Sequence, residues 1–384
     1  MNFIRVAGLV FFSAFLLAAC TVFPPEKKPA EPEAIPAKPV EILRPSSFSD
    51  LPGWDRDDLL AAWPAFLNSC QVLIKKDNWR EPCTLARQID ANDRQAVRRF
   101  FESLFTPYQV FNKDGSETGL ATGYYEPLLL GARKKSSTYQ TPLHRVPDDL
   151  LTIDLASVYP SLKGMRLRGR LVGNKVEPYY SREEIVQSSR MKGKVLLWVD
   201  DPVEAFFLQV QGSGRVYLPA QKQTVRVVYA DQNGRPYRSI GRYLVDRGEL
   251  SLDSASAQGI KDWFIANPSR QQELLNANPS YVFFREEKLG DPKQGPKGAM
   301  GIPLTPRRSI AVDPAYIPLG APVFLNTTEP NSSVPMQRLV MAQDTGGAIK
   351  NPVRADYFWG FGADAGKNAG KMRQKIAMWV LLPK

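Results

Sequence analysis

The stretch VMAQDTGGAIKNPVRADYFWGFG, Val340–Gly362, decides how this chain is read. It carries two aspartates, Asp344 and Asp356, in short apolar runs broken by Gly346-Gly347 and Asn351-Pro352. Such runs, bounded by turn formers, have the pattern of strands rather than helices. Upstream, SIAVDPAYIPLGAPVFLNT (Ser309–Thr327) has the same character and adds a third aspartate, Asp313. Short strands at this spacing suggest a small barrel, with no long helix expected before Lys371.

All three aspartates stand at strand ends or turns, where Asp is a common turn former. Asp313 precedes a proline and Asp344 precedes Thr-Gly-Gly, so a turn role suits both. Asp356 is flanked by Tyr357, Phe358 and Trp359. A carboxyl among aromatics has its charged form disfavoured, and its pKa rises. It can then hold a proton near neutral pH and donate it, as cleavage of a glycosidic bond requires. Other chemistries are poorly served. The lone histidine, His144, has no G-x-S-x-G nucleophile motif to serve. One histidine and few cysteines do not make a metal site. GSGR (Gly212–Arg215) lacks the Lys-Ser/Thr end of a phosphate loop.

Before this region the pattern is mixed. Asp50–Lys75 has helical spacing through Leu59, Leu60, Trp63, Phe66, Leu67 and Leu73, and a second helix is expected over Asp93–Phe105. NKDGSETG (Asn112–Gly119) is a turn, and LATGYYEPLLLGAR (Leu120–Arg133) a strand. KVLLWVDD (Lys194–Asp201) and FFLQVQGSGRVYLP (Phe206–Pro219) read as strands. TVRVVYADQNGRPYRSIGRYL (Thr224–Leu244) reads as a hairpin about Gln232-Asn233-Gly234. ASAQGIKDWFIANP (Ala255–Pro268) reads as a helix stopped by Asn267-Pro268. No internal repeat is visible.

The amino terminus names the compartment. Arg5 precedes an apolar run, Val6–Leu17, too short to span a bilayer and of signal-peptide length. It ends in Leu17-Ala18-Ala19-Cys20, which resembles a bacterial lipobox. Cleavage before Cys20 and lipidation of that residue are the expectation, with residues 1–19 as signal peptide. Thr21, rather than aspartate, follows the cysteine; by resemblance to enterobacterial sorting this implies an outer-membrane lipoprotein facing the periplasm. Residues 20–49 form a lipid-anchored linker. Seven prolines between Pro24 and Pro45 leave it too proline-rich for a helix. Extended, it would reach on the order of 80 Å.

Roughly 335 residues follow, enough for two ordinary domains. Hydrophobic content of 43% and charged content of 23% are those of a globular protein, but the net charge of +11 calls for an anionic partner. No basic block alternates with aromatics as a nucleic-acid groove would, so the envelope's own polyanions, peptidoglycan among them, are the candidates. Cys70 and Cys83 are an even pair in an oxidising compartment, which points to a disulfide; two buried thiols facing apart are the alternative.

Several separated segments resemble the membrane-bound lytic murein transglycosylase A family: ATGYYEP (Ala121–Pro127), FFLQVQGSGRV (Phe206–Val216), NPSYVFF (Asn278–Phe284), SIAVDP (Ser309–Pro314), and QDTGGAIK followed by RADYFWG in what resembles its three-aspartate domain. The resemblance implies a mainly β chain. A six-stranded double-psi β-barrel would be built from residues 50–127, which also hold the N-terminal helices, and 295–384; a β-rich domain, 128–294, would be inserted between them. It implies that glycan lies in a groove and that Asp356 is the catalytic acid, with Asp344 supporting it. Tyr124, Tyr125, Gln209, Gln211, Gly212, Ser213, Gly214, Asp313, Phe358 and Trp359 are the expected glycan-binding residues. No cofactor or metal is expected. The expected partners are peptidoglycan strands, the outer membrane through the lipid, and other cell-wall proteins. An inverting hydrolase, with Asp344 activating water, and a non-catalytic, expansin-like wall binder are the competing readings.

Overall fold

Proline and glycine decide where the first helix begins. The computed structural model describes residues 41–252 and 254–384; the signal segment, Cys20 and most of the proline-rich stretch lie outside the described residues. Part of the segment read as linker is a strand, β1 (Leu43–Pro45). Pro52-Gly53, with Gly53 at φ +76°, keeps the chain turning until Asp58. Helix α1 therefore spans Leu59–Leu73, shorter than the spacing alone predicts. α2 (Asp77–Ala86) follows, with Pro82 inside it. Cys70 of α1 and Cys83 of α2 are joined by a disulfide. α3 (Arg94–Leu104) starts where expected because the Asp93 carboxylate accepts the N–H groups of Gln95 and Ala96. Trp63, Phe66, Phe100, Phe101 and Phe105 pack mostly edge-to-face at 4.9–6.0 Å between ring centroids, a geometry favoured beyond simple area burial.

The chain continues through β2 (Phe105–Val110), β3 (Gly119–Glu126), β4 (Leu128–Ala132), β5 (Thr141–His144), β6 (Leu151–Thr152), β7 (Arg168–Val172), β8 (Lys175–Pro178), α4 (Arg182–Gln187), β9 (Val195–Val199), α5 (Pro202–Gln211), β10 (Ser213–Leu218), β11 (Gln223–Gln232), α6 (Ile240–Asp246), α7 (Ala257–Ala266), α8 (Gln271–Asn276) and β12 (Val282–Lys288). The last part holds β13 (Ser309–Ala311), β14 (Pro322–Thr328), β15 (Pro335–Asp344), β16 (Arg354–Phe361), α9 (Gly362–Lys371) and β17 (Arg373–Pro383). The protein is mainly β, as expected.

One sheet runs β1-β2-β17-β14-β15-β13-β16-β3, and β17 also pairs with β3. That extra pairing closes β17, β14, β15, β13, β16 and β3 into a ring. Strand β3, which precedes β13, the next ring strand along the chain, by more than 180 residues, is thus gripped on both sides: parallel to β16 and antiparallel to β17. The residues between β3 and β13 build a second sheet, β12-β11-β10-β4-β9-β5, and a small third one, β6-β7-β8. Each large sheet has its own apolar core, one around Phe324, Val340 and Tyr357, the other around Leu197, Val216 and Val227.

Three expectations need correction. FFLQVQ (Phe206–Gln211) is the end of helix α5, not a strand. Asp201 caps α5, Pro202 opens it, and Gly212 closes it in the left-handed region at φ +80°. Its apolar run suits a buried helix as well as a strand, and only the caps tell them apart. TVRVVYADQ and the residues after it are no hairpin: β11 pairs with β10 and β12, and Ser239 caps α6 where a return strand was expected. Asn233, instead of making a tight turn, is buried and ties down three backbone groups, at Tyr180, Pro279 and Tyr281. Finally, Lys371 ends a helix rather than starting one, and the terminal residues form the long strand β17.

Candidate active site

Register brings the two aspartates together. Ala311 of β13 lies opposite Asp344 of β15 on one side and Asp356 of β16 on the other. Two strand spacings, about 10 Å, separate their backbones. The β13–β15 register shifts by one residue between Ile310 and Ala311, which skips Gln343. Because side chains alternate with period two, such a shift changes the face that the next residue takes. Gln343 is held in the core by α1, donating to the Ala65 carbonyl and Ser69 Oγ. Asp344 points instead toward β3.

On β3, Thr122 lies opposite Asp356 and Tyr124 opposite Phe358. Alternation puts Thr122 and Tyr124 on one face and Asp356 and Phe358 on the face toward them. Thr122 Oγ1 donates to Asp356 Oδ1 at 2.6 Å and accepts from Arg354 Nη2 at 2.8 Å. A guanidinium only donates, so the single hydroxyl proton of Thr122 is directed at Asp356. Oδ1 is thereby an acceptor, and a proton on Asp356 resides on Oδ2. Burial raises the Asp356 pKa, while the Thr122 hydrogen bond and the Arg354 charge hold it down.

Asp344 is arranged differently. Its Oδ1 accepts the N–H groups of Ala299 (3.0 Å) and Thr345 (2.9 Å), and its Oδ2 accepts the Tyr124 hydroxyl at 3.0 Å. Burial nevertheless pushes its pKa up to about 6; the three donors oppose this and the nearby Asp356 adds to it. Burial and the two carboxylates push the Tyr124 pKa well above its ordinary value, so its hydroxyl stays a donor. The Tyr124 ring rests on Phe358, with centroids 5.1 Å apart. Both aspartates are half-buried, enclosed by protein yet open on one side.

The remaining expected residues divide. Tyr125 N–H donates to Gln211 Oε1 at 3.0 Å, which ties the end of α5 to the site strand. Gly212 and Ser213 follow at the α5–β10 turn. Gly214 is a packing position, since a Cβ there would lie 2.4 Å from Leu208 Cδ1. Gln209 is withdrawn as a glycan ligand: it is buried, and its Oε1 accepts from Arg182 and the Val282 N–H. Trp359 is withdrawn too. It lies on the face of β16 opposite Asp356, is 5% exposed, and donates to Met372 Sδ. Its ring fills the space where Gly123 has no Cβ. Tyr357, fully buried, is on that same inner face. Phe358 shares the face of Asp356 but is itself fully buried, packed under Tyr124 and against Gly295, so it too is withdrawn as a glycan ligand and serves as the floor on which Tyr124 rests. Asp313 is a loop anchor: it accepts the N–H groups of Ala315 and Asn351. The second of these pins the β15–β16 loop where Asn351 takes a left-handed φ of 91°. Thr122, Arg354 and the Ala299 N–H were missed in the sequence. Thr122 and Arg354 each stand two residues from a residue singled out, so strand alternation was the signal for both.

Comparison with known proteins agrees with this architecture. Residues 120–285 match the MltA specific insert domain and residues 308–382 the 3D domain. The membrane-bound lytic murein transglycosylase A of Escherichia coli (strain K12) is 32% identical over 267 residues, covering 68% of this chain and 64% of that protein; the aligned part thus spans under two thirds of that relative. Among solved structures, the lytic transglycosylase LtgG of Burkholderia pseudomallei is 48% identical with a TM-score of 0.62, covering 90% of this chain and 96% of that one. MltA from Neisseria gonorrhoeae is 37% identical with a TM-score of 0.77 over the same shares. With both domains matched and relatives of this identity covered nearly end to end, the chain belongs to the membrane-bound lytic murein transglycosylase A family.

Proposed function

We propose that this protein is a lytic transglycosylase that cleaves the β-1,4 bond between N-acetylmuramic acid and N-acetylglucosamine in peptidoglycan without water. The observation that carries the reading is the Arg354–Thr122–Asp356 chain of hydrogen bonds. It leaves one oxygen of a carboxyl with raised pKa free to deliver a proton. Asp356 protonates the departing glycosidic oxygen. The resulting carboxylate takes the proton from the muramyl O6 hydroxyl as that oxygen attacks C1, which gives a 1,6-anhydro product. The nucleophile is part of the substrate, so its effective concentration is high from the start. One carboxyl serves both steps, where a hydrolase uses two.

Asp344 has all of its hydrogen-bond donors in place already, which suits a residue that holds Tyr124 and polarises the site. It is poorly free to take a proton from water, and this favours the transglycosylase over the inverting hydrolase. Tyr124, backed by the buried Phe358, supplies an aromatic surface for a sugar ring beside Asp356, with Tyr125, Gln211 and the Gly212-Ser213 turn along the groove. The ring of six paired strands supports the reading of a double-psi β-barrel, with residues 128–294 as an inserted domain. The Leu-Ala-Ala-Cys motif supports a lipid anchor at Cys20 and a place on the outer membrane facing the periplasm, near other cell-wall proteins. Among the described residues no helix is long and apolar enough to cross a membrane.

The test is Asp356→Asn on purified sacculi, with products read by mass spectrometry. Release of anhydromuropeptides should fall by at least about a hundredfold, the scale of general acid catalysis, while binding to sacculi persists. Near-parent turnover in a folded Asp356→Asn protein would remove the assignment, and products with reducing ends from the parent protein would make it a hydrolase.

A further inference from the structure

Away from the aspartates, β5, α4, β9, α5 and α8 line a cavity of about 590 Å³. Arg182 stands in its wall, only 4% exposed. Its Nε donates to the Asn278 carbonyl at 3.0 Å, and its Nη2 to Gln209 Oε1 (2.9 Å) and the Ser280 carbonyl (2.6 Å). The guanidinium lies over Phe206 and Tyr281, at 4.7 and 5.2 Å from the ring centroids. All of these partners are neutral, and among the described residues Nη1 has none and no carboxylate pairs with the group. A buried cation without a counter-ion is costly, and buried charges are ordinarily paired.

The rest of the wall has the same sign. Lys135 and Lys192 stand at the rim, both exposed, and no acidic residue lines the cavity. His144 contributes no charge: burial pushes its pKa down to about 4, and its Nδ1 shares a hydrogen bond with the Tyr281 hydroxyl. Beyond the charges, the wall is mainly apolar, with Trp198 and Phe206 prominent. A phosphate or other highly charged small ion would gain little from such a surface. A carboxylate on an aliphatic, peptide-like body would use both parts, pairing with Arg182 Nη1 and covering the apolar wall.

We propose that this cavity binds a short peptide through its free terminal carboxylate, as the peptide stems of the wall would present it. The choice of wall peptide rests on the proposed function, whereas the carboxylate chemistry rests on the cavity alone. Gln209, which holds Arg182, and Gln211, which holds the Tyr125 N–H, lie two residues apart at the end of α5. Peptide bound here is therefore in mechanical contact with the helix that borders the glycan site.

The test titrates the full chain by calorimetry with diacetyl-L-lysyl-D-alanyl-D-alanine, with its C-terminal amide, and with acetate. Saturable binding of the acid is expected, with the amide and acetate each at least tenfold weaker. Arg182→Gln should abolish binding. Because Arg182 is also a structural tie, the Lys135→Ala/Lys192→Ala double variant is measured beside it; it should bind at least threefold more weakly with an unchanged melting temperature. No binding of the acid, equal binding of the amide or of acetate, or parent-like binding by the double variant would each overturn the proposal. Sacculus digestion is run in parallel. Digestion without peptide binding removes this inference alone, and peptide binding without digestion removes the proposed function alone.

Discussion

Asp344 and Asp356 share a sheet and still differ in every partner. Thr122 restrains the rise in the Asp356 pKa by donating to the carboxylate. Thr122→Val keeps the shape and removes the donor. A hydrogen bond to a charged group contributes about 1.5–3 kcal/mol, so the alkaline limb of the pH–rate profile should move up by about one unit or more. The maximal rate should also fall, because Oδ1 is no longer held. An unmoved limb would show that Thr122 does not set the proton's place. Asp344 offers a stability test. Its folded pKa, about 6, lies above the ordinary 3.8, so the folded state binds the proton more tightly. The stabilisation is fully present below about pH 4 and is lost as pH rises through 6. Asp344→Asn suits the site: its Oδ1 can accept from Ala299 and Thr345 while its amide donates to the Tyr124 oxygen. The variant should melt higher than the parent at pH 8 and alike at pH 4. The difference is at most about 3 kcal/mol, and less where water reaches the half-buried group. Equal melting at both pH values would count against the raised pKa.

Among the elements, the helical cap α1–α3 is the most self-contained. The Cys70–Cys83 disulfide closes a short loop between α1 and α2, with 13 residues of sequence separation. In the chain-entropy model this contributes about 3 kcal/mol. Neither cysteine takes part in the aspartates' hydrogen bonds. Reduction should therefore lower the melting temperature by several degrees and leave the rate at moderate temperature unchanged. Thiol labelling of the unfolded, unreduced protein checks the bond itself, and two reactive thiols would contradict it. Much of this cap was legible in the sequence. The spacing of Leu59, Trp63 and Phe66 and the Asp93 cap are local signals, read by helix geometry alone. FFLQVQ was misread because a buried apolar run has no polar face to reveal its period.

At the scale of the whole molecule, one buried carboxylate joins the two large sheets. Glu126, at the end of β3, is fully buried. It accepts from Arg215 of β10 at 2.8 Å and from Arg226 of β11 at 2.5 Å. The same arginines donate to the carbonyls of Pro292 and Gln294, where the chain returns toward β13. Departure from the ring of strands and return to it are thus tied at one point. Glu126→Ala would leave two buried guanidiniums unpaired, at a cost of about 3–5 kcal/mol. Urea unfolding should show that loss, and a change under 1 kcal/mol would mean that water or a shift of the arginines compensates.

The sequence by itself determined the mainly β class, the N-terminal helices and the family, and it singled out Asp356 as the proposed acid. These rest on local periodicity, turn residues and contiguous motifs, all of which act over a few neighbours. It did not determine which aromatics face Asp356. Trp359 and Tyr357 turn to one face of β16 and Phe358 to the other, the face of Asp356, and all three are buried; only the packed sheet says which face carries the aspartate and what covers it. Nor did it reveal that Thr122, 234 residues before Asp356, directs the proton. That contact exists only because β3 pairs with β16, and strand pairing between distant segments is decided by the whole fold rather than by either segment.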